Sequence, residues 1–210
     1  MRIISGKYKG RIIKRPKGIR PTQDKVRKAL FDILQDIAGL SFLELFAGSG
    51  AVGIEALSRG IRDLTLVEYN RDCLLAIKNN IESLQLKVCG LYPKEAEEAI
   101  RILYNERKKF DIIFLDPPYN PLSSYSKGHV MGIPKRYRQG LGTEDNNLAK
   151  KTLQSLEAYD ILSPNGLIVV QHFKKDSLPE KIGCLLLFRQ SSYGDTRLSF
   201  YKKVNPKSHK

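Results

Sequence analysis

From Ser41 onward the chain alternates between short apolar runs and stripes at helical spacing. The runs "SFLELF" (41–46), "DLTLVE" (63–68), "LKVCGLY" (86–92), "FDIIFL" (110–115) and "GLIVVQH" (166–172) have the length and composition of strands. Residues 110–115 are almost wholly apolar, which suits a strand buried on both faces. Between these runs the pattern predicts helices over 51–59, 71–84, 94–106 and 147–161. The second of them places Leu74, Ile77, Ile81 and Leu84 in register on one face. Gly60 is a C-terminal cap, Pro93 stands before the third helix and Pro164 before the fifth strand.

The two ends depart from this alternation. "RIISGKYKGRII" (2–13) is two short β-like runs around a Gly/Lys turn, which predicts a basic hairpin. An extended connector, "RPKGIRPTQ" (15–23), leads to a helix with Thr22 as N-cap and Asp24 in its first turn. Its stripe runs Val26, Ala29, Leu30, Ile33, Leu34 and Ile37, and Gly39 ends it. Near the other terminus, runs at 184–190 and 196–203 are separated only by "SSYGD", so they pair antiparallel. The sum is a doubly wound α/β domain: a mostly parallel seven-stranded sheet that closes in an antiparallel hairpin. The expected organisation is a basic hairpin (1–20), one catalytic-type domain (21–204) and a basic tail (205–210). A polar insert at 120–146 exceeds the usual loop length, so it is either functional or disordered without its ligand.

Charge sharpens this division. The chain of 210 residues carries a net charge of +14. Residues 1–30 hold eleven Lys or Arg against Asp24 alone, and residues 201–210 hold four Lys and no acid. Over 31–200 the signs cancel, with 21 basic and 21 acidic residues. A neutral body with one basic arm is an enzyme-like domain joined to a polyanion-binding surface, and nucleic acid is the natural polyanion. Arg2, Lys7, Lys9, Arg11, Lys14 and Arg15 are its candidate contacts, joined by Lys135, Arg136 and Arg138 of the insert. No run is long enough for a membrane span, and the polar N-terminus lacks a signal-peptide core, so a cytoplasmic protein is expected. Three scattered cysteines and three isolated histidines give neither a disulfide framework nor a metal site. A monomer is expected.

Chemistry enters at the strand ends. Gly48, Gly50 and Gly53 form a GxGxxG between the first strand and the helix that follows it, where backbone can approach a ligand closely. Glu68 ends the next strand, placed to accept hydrogen bonds from a ribose. NAD, FAD and S-adenosylmethionine all satisfy this much. Glu44, inside the strand before the turn, suits a cationic methionyl amine and would repel a pyrophosphate. The terminal hairpin also favours the methyltransferase variant of the sheet. The candidate cofactor set here is Glu44, Phe46, Gly48, Gly50 and Glu68.

Strand 110–115 stops at Asp116-Pro117-Pro118-Tyr119. An exocyclic amine of a base is a poor nucleophile, because its lone pair is delocalised into the ring. An Asp carboxylate and a rigidly held backbone carbonyl can accept its two hydrogens, and consecutive prolines fix that carbonyl. Tyr119 offers a face on which a flipped base can stack.

These residues, with "RIISGKYKGR", "IRPTQDKVRKALFDIL", "LELFAGSGAVGIEALSRG", "VEYNRD", "FDIIFLDPPY" and "YGDTRLSFY", resemble the bacterial RsmD family over residues 2 to about 203. That family methylates guanine N2 in 16S ribosomal RNA. The resemblance implies a Rossmann-like, class I methyltransferase fold, S-adenosylmethionine as donor and a small-subunit ribosomal substrate. It puts Asp116 to Tyr119 at the target amine, Glu68 on the ribose, and Arg20 and Thr22 near the cofactor. Two features depart from the family pattern. Glu95 stands before Ala96 where an Asp or Asn beside the adenine is usual, and residues 120–146 are longer than usual. A DNA amino-methyltransferase and a nonenzymatic RNA-binding protein are the alternative readings.

Overall fold

The computed structural model describes residues 1–16, 23–88, 90–118 and 148–204. Five strands run parallel: β1 (Ser41–Leu45), β2 (Asp63–Val67), β3 (Gly90–Tyr92), β4 (Phe110–Leu115) and β5 (Leu162–Phe173). Three more follow antiparallel: β6 (Lys181–Ile182), β7 (Leu185–Tyr193) and β8 (Thr196–Lys203). The sheet order is β3-β2-β1-β4-β5-β8-β7-β6. The chain steps from β1 outward to β3, then returns to place β4 on the other side of β1. That reversal opens a crevice beyond the carboxyl ends of β1 and β4, where ligands of such sheets bind.

Helices α1 (Asp24–Leu34), α2 (Ala51–Ser58) and α3 (Arg71–Leu84) cover one face; α4 (Ala96–Asn105) and α5 (Leu148–Tyr159) cover the other. The strands are buried on both sides, as their apolar runs require. Phe42, Leu64, Ile112, Phe114 and Val169 face α1–α3, while Leu43, Leu45, Ile113, Leu115 and Ile168 face α4 and α5.

Several boundaries differ from the sequence-based expectation. The third strand is shortened to Gly90–Tyr92 because Leu86 is drawn away from the sheet into a cluster with Ile3, Ile13, Ala51, Ile54 and Leu84. Helix α1 stops at Leu34, with Gln35 at φ 60, although Ile37 is still buried beyond it. Gln23 occupies the N-cap position, and the expected cap, Thr22, lies outside the described residues. The fifth strand begins earlier, at Leu162; the pairing with β4 shifts register between Phe110 and Ile112, and Pro164 and Asn165 bulge out exposed. Among the described residues the sheet has eight strands, the addition being the two-residue β6. The closing turn is only Gly194-Asp195, so Ser191 to Tyr193 belong to β7.

Candidate active site at the carboxyl edge of the sheet

Register brings the strand ends level. Leu45 pairs with Val67 on one side and Leu115 on the other, and Leu115 pairs with Val170. Phe46, Glu68, Asp116 and Gln171 are the next residues along these four strands. Side chains alternate across a strand, so Glu68, Asp116 and Gln171 share the α1–α3 face with Glu44, one pleat back.

The glycine turn is held open by positive φ at Phe46 (60), Gly48 (57) and Gly50 (73). Glu68 secures it. Its Oε2 accepts from the Gly48 N–H at 2.8 Å, and its Oε1 accepts from the Tyr69 and Asn70 N–H groups at 2.8 Å each. Burial pushes the Glu68 carboxyl above the usual range, and these backbone donors oppose that shift. Glu44 is 3% exposed and accepts from the Gly53 N–H at 2.8 Å. Its carboxyl is pushed up to about 8, chiefly by burial and further by the charges of Asp116 and Glu68. Gly53 has a packing role: a Cβ there would stand 2.7 Å from both Glu44 Oε2 and Leu64 Cδ1.

Asp116 is half-buried and accepts from Gln171 Nε2 at 2.8 Å. Pro117 is buried and Pro118 is exposed. Pro118, Phe46, Tyr69, Glu95, Ala96 and Leu148 line one cleft between the glycine turn and the start of α4, where Glu95 holds the N-cap position. The cleft thus gathers three residues expected from sequence and adds Tyr69, whose only signal was its place after Glu68. Tyr119, Arg20, Thr22, Lys135, Arg136 and Arg138 lie outside the described residues.

The N-terminal arm is docked onto α2 and α3. Its own antiparallel pairing is reduced to a bridge between Arg2 and Ile12, with hydrogen bonds from Ile3 to Arg11 and from Ile13 to Met1. Glu55 of α2 is fully buried and accepts from the N–H groups of Ile4 (2.7 Å) and Ser5 (3.0 Å). The Ser58 carbonyl accepts from the Lys7 N–H at 2.7 Å, and Ser58 Oγ from the Tyr8 N–H at 2.9 Å. Gly6 lies flat on this helix end: a Cβ there would be 1.8 Å from the Ser58 carbonyl oxygen. The Asn80 amide spans Lys14 and the glycine turn, accepting from the Lys14 N–H and donating to the carbonyls of Lys14 and Ser49. None of Glu55, Ser58 and Asn80 was expected from sequence.

With its backbone so held, the arm leaves Lys7, Lys9, Arg11, Lys14 and Arg15 exposed. Arg2 is exposed too, but its guanidinium donates to the Gly10 carbonyl at 2.8 Å, which closes the arm on itself. No described helix is long and apolar enough to cross a membrane.

The family model described as conserved hypothetical protein 95 matches residues 1–128 and 144–202. The chain is 31% identical over 206 residues to the ribosomal RNA small subunit methyltransferase D of Escherichia coli, covering 97% of this chain and 90% of that protein. It is 34% identical over 179 residues to the protein of the same name from Buchnera aphidicola of Acyrthosiphon pisum, covering 84% and 80%. Among solved structures, a hypothetical protein of Thermus thermophilus superposes with a TM-score of 0.75 at 28% identity, covering 97% of this chain and 99% of that one. The Escherichia coli protein yhhF, described as a candidate methyltransferase, gives 0.73 at 28% identity, covering 97% of both chains. The sheet order and these likenesses make this a Rossmann-like methyltransferase fold.

Proposed function

The chain belongs to the family described as conserved hypothetical protein 95, the RsmD family its motifs resemble, and from that premise we propose that it methylates the exocyclic N2 amine of a guanine in 16S ribosomal RNA, with S-adenosylmethionine as donor. The observation that carries this reading is the row of acids Glu44, Glu68 and Asp116 on one face of the sheet beside an open glycine turn. Glu68 and Asp116 suit a donor bearing ammonium and sulfonium charges and oppose a pyrophosphate, and a cation beside the buried Glu44 carboxyl would draw it back toward its ionised form. When bound, the donor supplies an electrophilic methyl group.

The chain's own residues do the rest. Glu44 faces the methionyl amine, and Glu68, already gripping the turn, faces the ribose. The cleft of Phe46, Tyr69 and Pro118 takes the adenine, with Glu95 at its rim. Asp116 accepts a hydrogen of the target amine, and the carbonyls of the Pro117–Pro118 unit accept the other, which directs the nitrogen lone pair outward. Arg20 and Thr22 complete the cofactor side, and Tyr119 stacks on the flipped base. The arm, carrying Lys7, Lys9, Arg11, Lys14 and Arg15, binds phosphates of the RNA, and Lys135, Arg136 and Arg138 of the insert extend that surface. The protein works as a cytoplasmic monomer.

Incubation with labelled S-adenosylmethionine and small-subunit particles tests the reading. Label should enter one guanine as N2-methylguanine. Asp116→Ala should lose transfer by on the order of a hundredfold or more while keeping donor binding. Label in adenine, or in DNA rather than rRNA, would overturn it.

A further inference from the structure

We propose that Gln171 is a positioning residue that sets the plane of the Asp116 carboxylate for the incoming amine; this rests on the role of Asp116 given above. β4 ends at Leu115, and its register against β5 puts Gln171 directly beside Asp116. There Gln171 Nε2 donates to Asp116 Oδ2 at 2.8 Å. Gln171 is 4% exposed and Asp116 half-buried, so this contact is partly shielded from water, which strengthens a hydrogen bond to a charged group. A neutral amide donates to Asp116 at any pH, which a carboxyl in its place would not do once ionised.

The outer strands explain why Gln171 is rigid. β5 runs two residues beyond Gln171 because β8 pairs with it there, joining Gln171 to Leu198, His172 to Arg197 and Phe173 to Thr196. His172, 2% exposed, pins the same stretch. Its Nδ1 lies 3.0 Å from the Phe173 carbonyl and its Nε2 lies 2.8 Å from Ser199 Oγ, which also accepts from Gln190 at 2.9 Å. β4 ends at Leu115, so the hold that Gln171 gives Asp116 comes from the neighbouring strand. The antiparallel hairpin therefore acts as a buttress: β8 holds β5, and β5 presents the amide that holds the aspartate.

Two variants test this. Gln171→Met keeps the volume and removes the donor. It should lower kcat by about tenfold to a hundredfold, the effect of one hydrogen bond to a charged group, and leave KM for the donor within about twofold. Gln171→Glu creates a carboxyl pair that shares one proton. It should therefore work at low pH and lose kcat as the pH rises and the shared proton leaves, over a range where the wild type does not fall. Without any substrate, the infrared carboxylate band assigned to Asp116 by its loss in Asp116→Asn should shift in Gln171→Met. An unshifted band, or a Gln171→Met enzyme with wild-type kcat, overturns the inference. A wild-type protein that transfers no methyl group, together with a shifted band, overturns the assigned reaction and leaves the contact standing.

Discussion

Glu44 Oε2 accepts the Gly53 N–H at 2.8 Å, and a methyl group on residue 53 would stand 2.7 Å from that same oxygen. One backbone amide of α2 and one carboxylate of β1 therefore meet with no room for a side chain. In a helix interior, Gly→Ala ordinarily stabilises by up to about 1 kcal/mol. Here the new Cβ would also crowd Leu64 Cδ1 at 2.7 Å and Leu66 Cδ2 at 2.9 Å, so these buried side-chain ends, packed with no room around them, must shift. Overpacking of about 1–3 kcal/mol should win. Gly53→Ala should lower Tm by roughly 2–6 °C. A Tm equal to or above the wild type, measured by calorimetry, would show that the helix can shift freely.

The Glu44 carboxyl makes stability depend on pH. Its value is pushed up to about 8 in the folded protein, against 4.5 for an ordinary glutamate. Between those two values the folded state holds a proton that the unfolded chain has released. Stability from this group is therefore fully present below about 4.5, falls as pH rises, and is lost above about 8. Other groups titrate in the same range, and the His172 imidazole, held down to about 4 by burial, acts in the opposite direction. The informative quantity is thus the difference between the wild type and Glu44→Gln. Glu44→Gln should gain on the wild type by a few kcal/mol between pH 5 and pH 8 in urea unfolding. Parallel stability profiles would remove the burial argument for Glu44.

Glu55 should govern whether the basic arm stays docked. Its carboxylate takes two arm N–H groups, accepts from Arg59 Nε at 3.0 Å, and faces Arg27 Nε at 3.7 Å. Arg27 is itself fully buried and donates to the Arg2 carbonyl at 2.5 Å, so α1 and α2 grip the arm from two sides. Glu55→Leu would leave two buried arm amides without their acceptor and remove one of the two carboxylates that face the buried Arg27 guanidinium, the other being Asp24 at 3.1 Å, a loss of a few kcal/mol. Glu55→Gln is milder, since it keeps one acceptor. It should speed tryptic cleavage after Lys7, Lys9 or Arg11 by about tenfold before the body of the protein unfolds. Mass spectrometry of the fragments reads this directly, and unchanged arm cleavage would mean that Ser58 and Asn80 suffice to hold it.

Much of the site was legible because its chemistry sits where a pattern ends. Glu68 and Asp116 close apolar runs, and the glycine turn lies between a strand and a helix. Local pattern could not show what covers a run. Leu86 has the alternation of a strand, yet it packs on Ile3 and Ile13 from the arm. Nor could it show polar partners distant in the chain. Gln171 finds Asp116 across 55 residues, Glu55 finds Ile4 across 51, and Asn80 finds Lys14 across 66. Each is an ordinary polar residue in an element whose neighbours only the sheet order reveals. The insert at 120–146, expected to be either functional or disordered without its ligand, lies outside the described residues.

The exposed charges of the arm can be removed without disturbing its fold, because its contacts to the body run through backbone. Lys7 and Lys14 are held by their main-chain N–H groups, and Lys9 and Arg11 by turns to Gly6 and Tyr8. The Lys7 ammonium lies over its neighbour Tyr8 at 5.4 Å and the Arg11 guanidinium reaches the Leu84 carbonyl at 3.5 Å, both weak surface contacts. Changing Lys7, Lys9, Arg11 and Lys14 together to Gln should leave Tm within a few degrees of the wild type. If all four meet phosphates, the slope of log K against log salt for 16S rRNA should flatten by about 3, from roughly 0.7–0.9 per released counterion. Donor affinity should be unchanged, because none of these four side chains takes part in the bond that the Asn80 amide makes to the cofactor turn at the Ser49 carbonyl. An unaltered salt slope would assign the arm a purely structural role, clamping α1 to α2, and would move the RNA surface elsewhere on the molecule.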